Sequence, residues 1–505
     1  MKYIVTAEEM KRADAYTMNT IGIPSLVLME RAALKTVEAL HTEQFCLDKV
    51  LVVCGVGNNG GDGMAVARLL FLEGVDVTAC VVGNREKASD QAAQQLHILE
   101  FYGVPMTENL TDRGYTTLVD ALFGVGLSRD VGGVYADAVA AINAMQARVL
   151  AVDIASGVHS DTGRIMGCAV QADASVAFAF AKAGQLLYPG TQNTGKLLVA
   201  DIGITEASFA GELPEMRLTE NEDIWKYLKR RTRSNKGTYG KVLVIAGRKG
   251  VSGAAYFSAS AAYHTGCGLV KIYTEESNRQ ILQTLVPEAM VEERELLSSG
   301  YPKLLESLSW ADAVVLGPGI GTDLSSRQLL ETVLAHYQGP LVLDADALTL
   351  LAGFPENVLG DRAASCVLTP HPGEMARLLH TTVGEITVDI PGAARKAARK
   401  FQAVCVMKDA RTVTAAPDGQ TWINNAGSSA LATGGSGDVL TGIIAALLAK
   451  GAPVFDGAAA AVRLHALTGE ASAAENGVRG TLAGDLLGYI GREEAFYEKM
   501  KEQNK

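Results

Sequence analysis

The sequence has few cysteines and no long apolar run, and each scarcity excludes a class of protein. Seven cysteines are spread over 505 residues without a Cys-x-x-Cys pair, which argues against a disulfide scaffold and a structural zinc site. No apolar run is long enough to span a bilayer, and the first residues lack the apolar core of a signal peptide. We therefore expect a cytoplasmic protein without a membrane partner.

Basic residues are outnumbered, with 45 Lys and Arg against 56 Asp and Glu and a formal net charge of −11. Because a protein that binds nucleic acid through its phosphates needs an excess of positive charge, no nucleic-acid partner is expected. The basic cluster between Lys229 and Lys236 is interpreted as a solvated linker face. Small anions must then be bound locally, by loops.

The length exceeds what one hydrophobic core usually organises, so at least two domains are expected. Apolar stretches of strand length alternate with helical stretches in both halves, which predicts mainly parallel, doubly wound sheets. The charge-dense stretch before residue 239 interrupts this alternation. We predict a first domain over residues 1–212, a linker over 213–238 and a second domain over 239–505. Apolar helices near the N-terminus also suggest self-association as a homo-oligomer.

The predicted elements can be stated as ranges. Strands of the first half are predicted at Val50–Cys54, Val75–Val82, Thr117–Val119, Val149–Val152 and Ser175–Phe180, after helices at Ala7–Thr20 and Pro24–His41. Strands of the second half are predicted at Lys241–Ala246, Leu269–Tyr273, Ala313–Leu316, Pro340–Leu343, Cys366–Leu368 and Val404–Met407, with helices at Ser252–Thr265 and Gly437–Ala449.

Two glycine-aspartate loops stand far apart in the chain, GNNGGDG at Gly57–Gly63 and GGSGDVL at Gly434–Leu440. Each places an acid where a helix should begin. Glycines let backbone amides approach an anion, the helix N-terminus adds positive potential, and the acid can exchange a proton nearby. The pair therefore predicts two nucleotide sites with separate chemistries.

In the first half, Gly55, Gly57 and Gly60 form G-x-G-x-x-G between a strand and a helix, as in dinucleotide-binding folds. The second strand ends in Val82, Gly83 and Asn84 without the usual ribose-binding acid, which argues against a dehydrogenase. The near-P-loop GTQNTGKL at 190–197 is followed by a strand rather than a helix. It is interpreted as a turn.

Two further motifs, VDALFGVG (Val119–Gly126) and VDIASG (Val152–Gly157), place Asp120 and Asp153 after strands. In a parallel sheet those strand ends meet at one crevice, so a site is favoured over simple loop capping. NNGGDG, FGVGLSRDVGG and VDIASGVHSDTG resemble the YjeF N-terminal domain, the NAD(P)H-hydrate epimerase, over about the first 210 residues. Ala155 stands where that family normally has proline.

The resemblance implies interconversion of the two C6 epimers of hydrated NADH or NADPH, with Asp153 as the catalytic acid/base. Its implied substrate contacts are Asn58, Asn59, Gly60, Gly61, Asp62, Gly124, Val125, Gly126, Leu127, Ser128, Arg129 and Asp130. It also implies a potassium ion held by oxygens of Asn58, Asp120 and Ser156, which suits the preference of hard cations for oxygen.

In the second half, LATGGSGDVLTG (Leu431–Gly442) puts a glycine run and Asp438 before an apolar helix, an arrangement that resembles ribokinase-like kinases. LGPGIG (Leu316–Gly321), TPHPGE (Thr369–Glu374) and VMKDART (Val406–Thr412) follow strands of the same predicted sheet. With SGAAYFSASAAYHTGCGLV, these motifs resemble the YjeF C-terminal domain, an ADP- or ATP-dependent NAD(P)H-hydrate dehydratase, over about residues 225–495. Asp409 stands where glycine is expected after the lysine.

This second resemblance implies that Asp438 activates the hydrate hydroxyl for phosphorylation and that Gly437 holds the phosphate. The hydrate would be contacted by Ala254, Gly319 and His371. The AMP portion of the nucleotide would be held by Lys408, Asp409, Ala410, Arg411 and Thr412, with Mg²⁺ accompanying the phosphates.

The expected fold class is therefore α/β, a Rossmann-like doubly wound sheet followed by a ribokinase-like domain. The expected function is repair, in which one domain epimerises the R and S hydrates and the other dehydrates the S form at the expense of ADP or ATP. The expected partners are NAD(P)H hydrates and ADP or ATP. One alternative is a small-metabolite kinase fused to a nucleotide-sensing domain. The other is a non-catalytic dinucleotide-binding or scaffold protein.

Overall fold

The computed structural model describes residues 2–295, 300–360 and 365–492. Its contacts divide the chain into two compact units, residues 2–216 and residues from 217 onward. Across the described ranges, no helix combines the length and the apolar character needed to cross a membrane.

The N-terminal unit alternates strands with helices. Its strands are β1 Tyr3–Val5, β2 Val50–Cys54, β3 Val77–Val81, β4 Met106–Thr107, β5 Thr117–Ala121, β6 Arg148–Val152, β7 Ala174–Phe178, β8 Ala181–Lys182 and β9 Lys196–Ala200. Its α-helices are α1 Ala7–Tyr16, α2 Ser25–Thr42, α3 Asn58–Leu72, α4 Asp90–Tyr102, α5 Val134–Ala144, α6 Ala183–Leu186 and α7 Gly190–Thr194.

Seven of these strands form one sheet in the order β4-β3-β2-β5-β6-β7-β9, and every neighbouring pair is parallel. Both faces are covered, because Val50, Val52 and Cys54 of β2 join one buried cluster while Leu51 and Val53 join another. The chain moves outward in opposite directions from β2 and β5. The switch point of the sheet, where ligands bind in such folds, therefore lies between these two strands.

The C-terminal unit repeats the α/β alternation with a different topology. Its strands, with β10 at the division between the units, are β10 Met216–Leu218, β11 Lys241–Ile245, β12 Leu269–Thr274, β13 Met290–Glu293, β14 Ala313–Leu316, β15 Leu341–Leu343, β16 Cys366–Leu368, β17 Val404–Met407, β18 Val413–Ala415 and β19 Thr421–Ile423. Its α-helices are α8 Glu222–Leu228, α9 Ser252–His264, α10 Arg279–Leu285, α11 Pro302–Trp310, α12 Leu324–His336, α13 Asp346–Leu351, α14 Pro372–Leu379, α15 Val383–Val388, α16 Ile390–Phe401, α17 Ser436–Ala449 and α18 Val454–Asn476.

Strands β13-β12-β11-β14-β15-β16-β17 are parallel, and β18 and β19 continue the sheet in antiparallel fashion. The predicted α/β class is confirmed in both units. The predicted linker differs from the structure, because 213–238 contains α8. Ile224, Trp225 and Leu228 of this helix are buried in the core of the C-terminal unit, so their apolar side chains outweigh the surrounding charges.

Candidate active sites

A cavity of about 740 Å³ lies in the N-terminal unit at the carboxyl ends of β2, β5 and β6. Loops after these strands, the first turn of α3, and helices α1 and α2 form its wall. The wall includes Asn59, whose side-chain nitrogen is buried and has no hydrogen-bond partner among the described residues. A buried amide donor left without a partner is costly, so this wall is suited to a ligand that accepts a hydrogen bond.

Asp153 is held at the cavity by contacts to both its side chain and its main chain. It follows β6 directly and has φ +67°, a backbone conformation that residues other than glycine rarely adopt. The fully buried Lys182 places Nζ 2.5 Å from Asp153 Oδ1. The Gln185 side chain donates to the main-chain oxygen of Asp153 at 2.7 Å and accepts from the Lys182 N–H at 2.9 Å. The carboxylate is therefore fixed as one partner of a buried ion pair.

Two further carboxyl groups, Asp14 of α1 and Asp62 of α3, line the same cavity. Burial raises the pKa of Asp14 to about 6, an effect that Lys182 opposes and Asp153 reinforces. Burial, followed by the charges of Asp153 and Asp14, raises the pKa of Asp62 well above its usual range. The protonated form of Asp62 is therefore favoured relative to that of an exposed carboxyl group.

Asp120 and Ser156 form a separate buried cluster. Asp120 lies within β5 rather than after it as predicted, because the strand continues to Ala121. Its Oδ2 accepts from the Ser156 N–H at 2.8 Å and its Oδ1 from the Ser156 hydroxyl at 2.7 Å. Burial raises the pKa of Asp120 to about 6 although these hydrogen bonds oppose the rise. Ser156 Oγ also accepts from the Phe123 N–H at 2.9 Å, which ties the loop after β5 to the loop after β6.

In the C-terminal unit, α17 begins in the glycine loop with Gly435 at its N-cap. Gly435 has φ +94°, and a Cβ there would lie 2.6 Å from a ring carbon of Phe257, so a side chain does not fit. The following amides of Ser436 and Gly437 belong to the first turn of a 14-residue helix. Such a turn presents N–H groups and positive potential to an anion.

Asp438, in the first turn of α17, is part of a charged cluster built from three strand ends and a helix. Lys408 follows β17, and its Nζ lies 2.6 Å from Asp344 Oδ1, which also accepts from the Thr369 hydroxyl at 2.7 Å. A Cβ on Gly437 would lie 3.5 Å from Lys408 Nζ and 3.9 Å from Asp344 Oδ2, so the pair adjoins the glycine loop.

Burial, assisted by the charge of Asp344 and opposed by Lys408, raises the pKa of Asp438 to about 7. Burial lowers the pKa of Lys408, but Asp344, Glu374 and Asp438 together raise it above its usual value. The lysine is therefore positively charged at every pH at which Asp438 titrates. Asp438 is able to exchange a proton near neutral pH beside a permanent cation, which suits general acid–base catalysis.

Two histidines adjoin this cluster in different ways. His371 caps α14 by accepting from the Gly373 N–H at 3.0 Å, and its side chain is half exposed. His465 of α18 is buried, with Nε2 3.1 Å from the Ser436 hydroxyl. Burial lowers the pKa of His465 to about 4, so it is neutral and supports the glycine loop without adding charge.

The two units match different family models and the chain has relatives that span both. Residues 25–184 match the model described as YjeF-related protein N-terminus, and residues 242–492 match NAD(P)H-hydrate dehydratase. A bifunctional NAD(P)H-hydrate repair enzyme of Moorella thermoacetica is 39% identical, covering 97% of this chain and 96% of its own length. The chain belongs to the family of bifunctional NAD(P)H-hydrate repair enzymes.

Other members and neighbours of this repair-enzyme family resemble one unit each. An NAD(P)H-hydrate epimerase of Levilactobacillus brevis is 51% identical over 205 residues, which is 40% of this chain and 95% of that protein. A ribokinase-like superfamily protein of Enterococcus faecalis, solved as a crystal structure, is 29% identical with a TM-score of 0.51 and covers 56% of this chain and 96% of its own. The ribokinase-like fold predicted for the second half is confirmed.

Most of the residues predicted for the epimerase site lie in the wall of the N-terminal cavity. The cavity wall includes the predicted residues Asn58, Asn59, Asp62, Gly124, Val125, Gly126, Leu127, Ser128, Arg129 and Asp153. Gly60 and Gly61 are buried instead, since a Cβ on Gly60 would lie 1.9 Å from the Gly55 oxygen and one on Gly61 would lie 2.7 Å from Met29. Asp130 is exposed. The substrate roles of all these residues stay predictions.

Among the predicted dehydratase residues, Ala254 and Gly319 adjoin each other, since a Cβ on Gly319 would lie 3.3 Å from that of Ala254. Gly437, Asp438 and Lys408 belong to the charged cluster. Asp409 and Ala410 are exposed in the loop after β17, and Arg411 and Thr412 are half-buried there.

Sequence reasoning missed three polar side chains that the structure brings to the two sites. They are Asp14 and Lys182 in the N-terminal unit and Asp344 in the C-terminal unit. Thr369 and Glu374 lie within the TPHPGE motif, but no role was predicted for them. For Asp344 a signal was available, because it follows an apolar strand as Asp153 does. For Lys182 the signal was a single lysine within the apolar sequence AFAFAKAG.

Proposed function

We propose that the N-terminal unit interconverts the R and S hydrates of NADH and NADPH and that the C-terminal unit dehydrates the S form at the expense of ADP or ATP. The proposal depends most on one observation in each unit. These are the Asp153–Lys182 pair inside a cavity of about 740 Å³, and Asp438, whose pKa burial raises to about 7, in the first turn of α17 after the glycine loop.

Epimerisation requires that carbon 6 of the hydrate lose one of its two heteroatoms and regain it from the other face. The hydroxyl oxygen or the ring nitrogen leaves more readily when it is protonated, and the return step needs a base. Asp62, whose raised pKa favours its protonated form, would donate a proton, and the Asp153 carboxylate would accept one. Lys182 keeps that carboxylate in place while the proton moves.

A potassium ion fits the chemistry of the Asp120–Ser156 cluster. The carboxylate of Asp120, the hydroxyl of Ser156 and the side-chain oxygen of Asn58 are all oxygen ligands, which a hard cation prefers. The ion would supply positive charge near the glycine loop that receives the pyrophosphate. Asn58 begins α3, so the same residue would join this cluster to the anion-binding helix turn.

In the C-terminal unit, Asp438 accepts the proton of the hydrate hydroxyl. At the same time the oxygen of that hydroxyl bonds to the terminal phosphorus of the nucleotide. The bond from that phosphorus to the bridging oxygen breaks, and the amides at Gly435–Gly437 receive the phosphoryl oxygens. Loss of inorganic phosphate, with a proton from the neighbouring carbon, then restores the dihydronicotinamide. Lys408 offsets charge on the nucleotide.

Magnesium would enter with the nucleotide phosphates, as it usually does in such sites, and needs only one or two protein carboxylates. The described residues contain no group of three or more His, Cys, Asp or Glu arranged around a metal ion, so phosphate oxygens would provide much of the coordination.

The test uses the whole protein with a mixture of R and S NADH hydrates. With ADP or ATP we expect complete return of reduced-nicotinamide absorbance, and without either nucleotide we expect interconversion of the epimers but no NADH. A stable phosphorylated hydrate as the final product would contradict the proposal and favour a kinase.

The pH dependence of dehydration should follow Asp438. Since its basic form accepts the proton and its pKa is about 7, the rate should rise as the pH increases through about 7. One unit below the pKa, about a tenth of the plateau rate should remain. Measurement of kcat/KM with S hydrate between pH 5.5 and 8.5, roughly one and a half units to either side, checks this expectation.

Two variants identify the titrating group in that profile. Glu374 also has a pKa raised by burial to about 7. If the titration of Asp438 causes the fall in kcat/KM at low pH, Glu374→Gln should leave this acidic limb of the profile at the same pH. Asp344→Asn removes a charge that raises the pKa of Asp438, so the limb should move to lower pH whatever happens to the plateau. Asp344 raises the pKa of Glu374 as well, so the Glu374 variant decides between the two acids. Loss of the acidic limb in Glu374→Gln would assign the base to Glu374.

A further inference from the structure

A second cavity, of about 570 Å³, lies in the N-terminal unit at the carboxyl ends of β3 and β4, against α5. None of the residues implied by the family resemblance lines it. Its walls are largely apolar, with Val82, Leu110, Val134 and Ala138, and its rim is polar.

This second cavity adjoins the cavity of about 740 Å³ that Asp153 lines, which we call the catalytic cavity. Tyr135 lines the catalytic cavity and Gly83 lines the second, and a Cβ on Gly83 would lie 2.2 Å from the Tyr135 hydroxyl. The loop after β3 also rests on the loop after β2, since the Val82 N–H donates to the Cys54 oxygen at 2.8 Å and the Ser89 N–H to the Val56 oxygen at 3.0 Å. The glycine loop thus stands between the two cavities.

The strand order of the sheet indicates on which side of the switch point each half of the dinucleotide would lie. A dinucleotide bound at the switch point places its pyrophosphate at the N-terminus of α3 and its two halves on opposite sides of that point. Asp153 follows β6, so in the proposed epimerase the hydrated nicotinamide would lie on that side. The other half must extend across β2 toward β3, where the second cavity lies.

The polar side chains at the rim of the second cavity indicate which kind of ligand group it would bind. The rim carries the carboxylates of Glu108 and Asp137 and the amides of Asn84 and Asn109. Carboxylates repel phosphate but accept hydrogen bonds from ribose hydroxyls and from an exocyclic amine. Apolar walls with a few polar groups are typical of sites for flat heterocycles.

We propose that this second cavity binds the adenosine half of the dinucleotide hydrate during epimerisation. The inference rests on the proposed epimerase function and adds the site that recognises the non-reacting part of its substrate. Binding energy gained there would help to hold the nicotinamide half against Asp153, because remote contacts contribute to positioning at the reacting centre.

The test compares two substrates in the whole protein without ADP or ATP, so that only interconversion of epimers is followed. They are hydrated NADH and hydrated reduced nicotinamide mononucleotide, which lacks the adenosine half. Val134→Trp fills the cavity from a position that is 59% exposed, and Asp137→Lys reverses one charge of the exposed rim. Ala140→Trp, exposed on the same helix but outside the cavity wall, is the matched control.

We expect each cavity variant to raise KM for hydrated NADH by about tenfold, a change of about 1.4 kcal/mol, and to leave KM for the mononucleotide hydrate unchanged. The control should change neither value. Unchanged KM for hydrated NADH in both variants, or an equal rise for both substrates, would overturn the adenosine site while leaving the epimerase intact. Absence of interconversion in the unmodified protein would instead refute the epimerase function and this inference with it.

Discussion

Asp438→Asn should stop the recovery of NADH from its hydrate, with a loss of about 10²- to 10⁴-fold in rate, the usual contribution of a positioned general base. Asparagine has nearly the same shape, so the first turn of α17 and its amides should stay in place. The amide has no basic oxygen at neutral pH and does not accept the hydroxyl proton. Nucleotide binding should change little, because the proposed phosphate contacts are backbone amides.

The measurement follows reduced-nicotinamide absorbance with ADP and mixed epimers, and separately the R to S ratio without nucleotide. The variant should interconvert the epimers at the normal rate while NADH fails to appear. Asp418→Asn, an exposed acid in the turn before β19, is the matched control and should recover NADH fully. Normal recovery by the Asp438 variant would remove Asp438 from the mechanism.

The effect should be large because the acid belongs to an arranged set of charges. Asp344 is 2% exposed and holds the ammonium of Lys408, so the cluster keeps one cation beside the base. Asp344 also raises the pKa of Asp438. The same carboxylate therefore fixes the Lys408 ammonium and raises the pKa of the proposed base toward neutral pH.

Strand positions were predictable where the apolar run itself defines the strand. β2, β14, β16 and β17 match the predicted ranges residue for residue, since strands buried on both faces are continuously apolar. Short strands such as β4 and β18 were not predicted. Two or three residues carry too little pattern, and these strands exist because a neighbouring strand supplies their hydrogen bonds.

The positions of the proposed catalytic acids were predictable, whereas those of their partners were not. Asp153 and Asp438 stand in glycine-bearing motifs at strand or helix ends, a context visible in the sequence. Lys182 is separated from Asp153 by 29 residues and Asp14 comes from the first helix of the unit. Asp14 carries no local signal, and the one at Lys182, a single lysine in an apolar sequence, does not identify a partner for Asp153, because lysines and acids more often mark surface positions. Only the folded sheet brings them together.

Lys182→Met should destabilise the N-terminal unit and abolish epimerisation together. Methionine fills nearly the same volume without charge, so the Asp153 carboxylate would remain in a mostly buried position without its cation. Removal of one partner from a buried ion pair costs about 3 to 5 kcal/mol, and the lower figure is expected because the Asp153 side chain is 12% exposed. Lys35→Met is the control, since its pair with Glu38 lies on the surface and should contribute under about 1 kcal/mol.

A double substitution separates the stability of the pair from its catalytic role. In Lys182→Met/Asp153→Asn no buried charge is left without a partner, so most of the lost free energy of unfolding should return. Epimerisation should stay absent, because the base itself has been removed. Hydrogen exchange of β6 and β7 amides in increasing denaturant reports on this unit in the intact protein, while the R to S ratio reports on activity. A double variant less stable than Lys182→Met would show that the lysine stabilises the unit through packing or through its second hydrogen bond to the Phe178 oxygen rather than by neutralising Asp153.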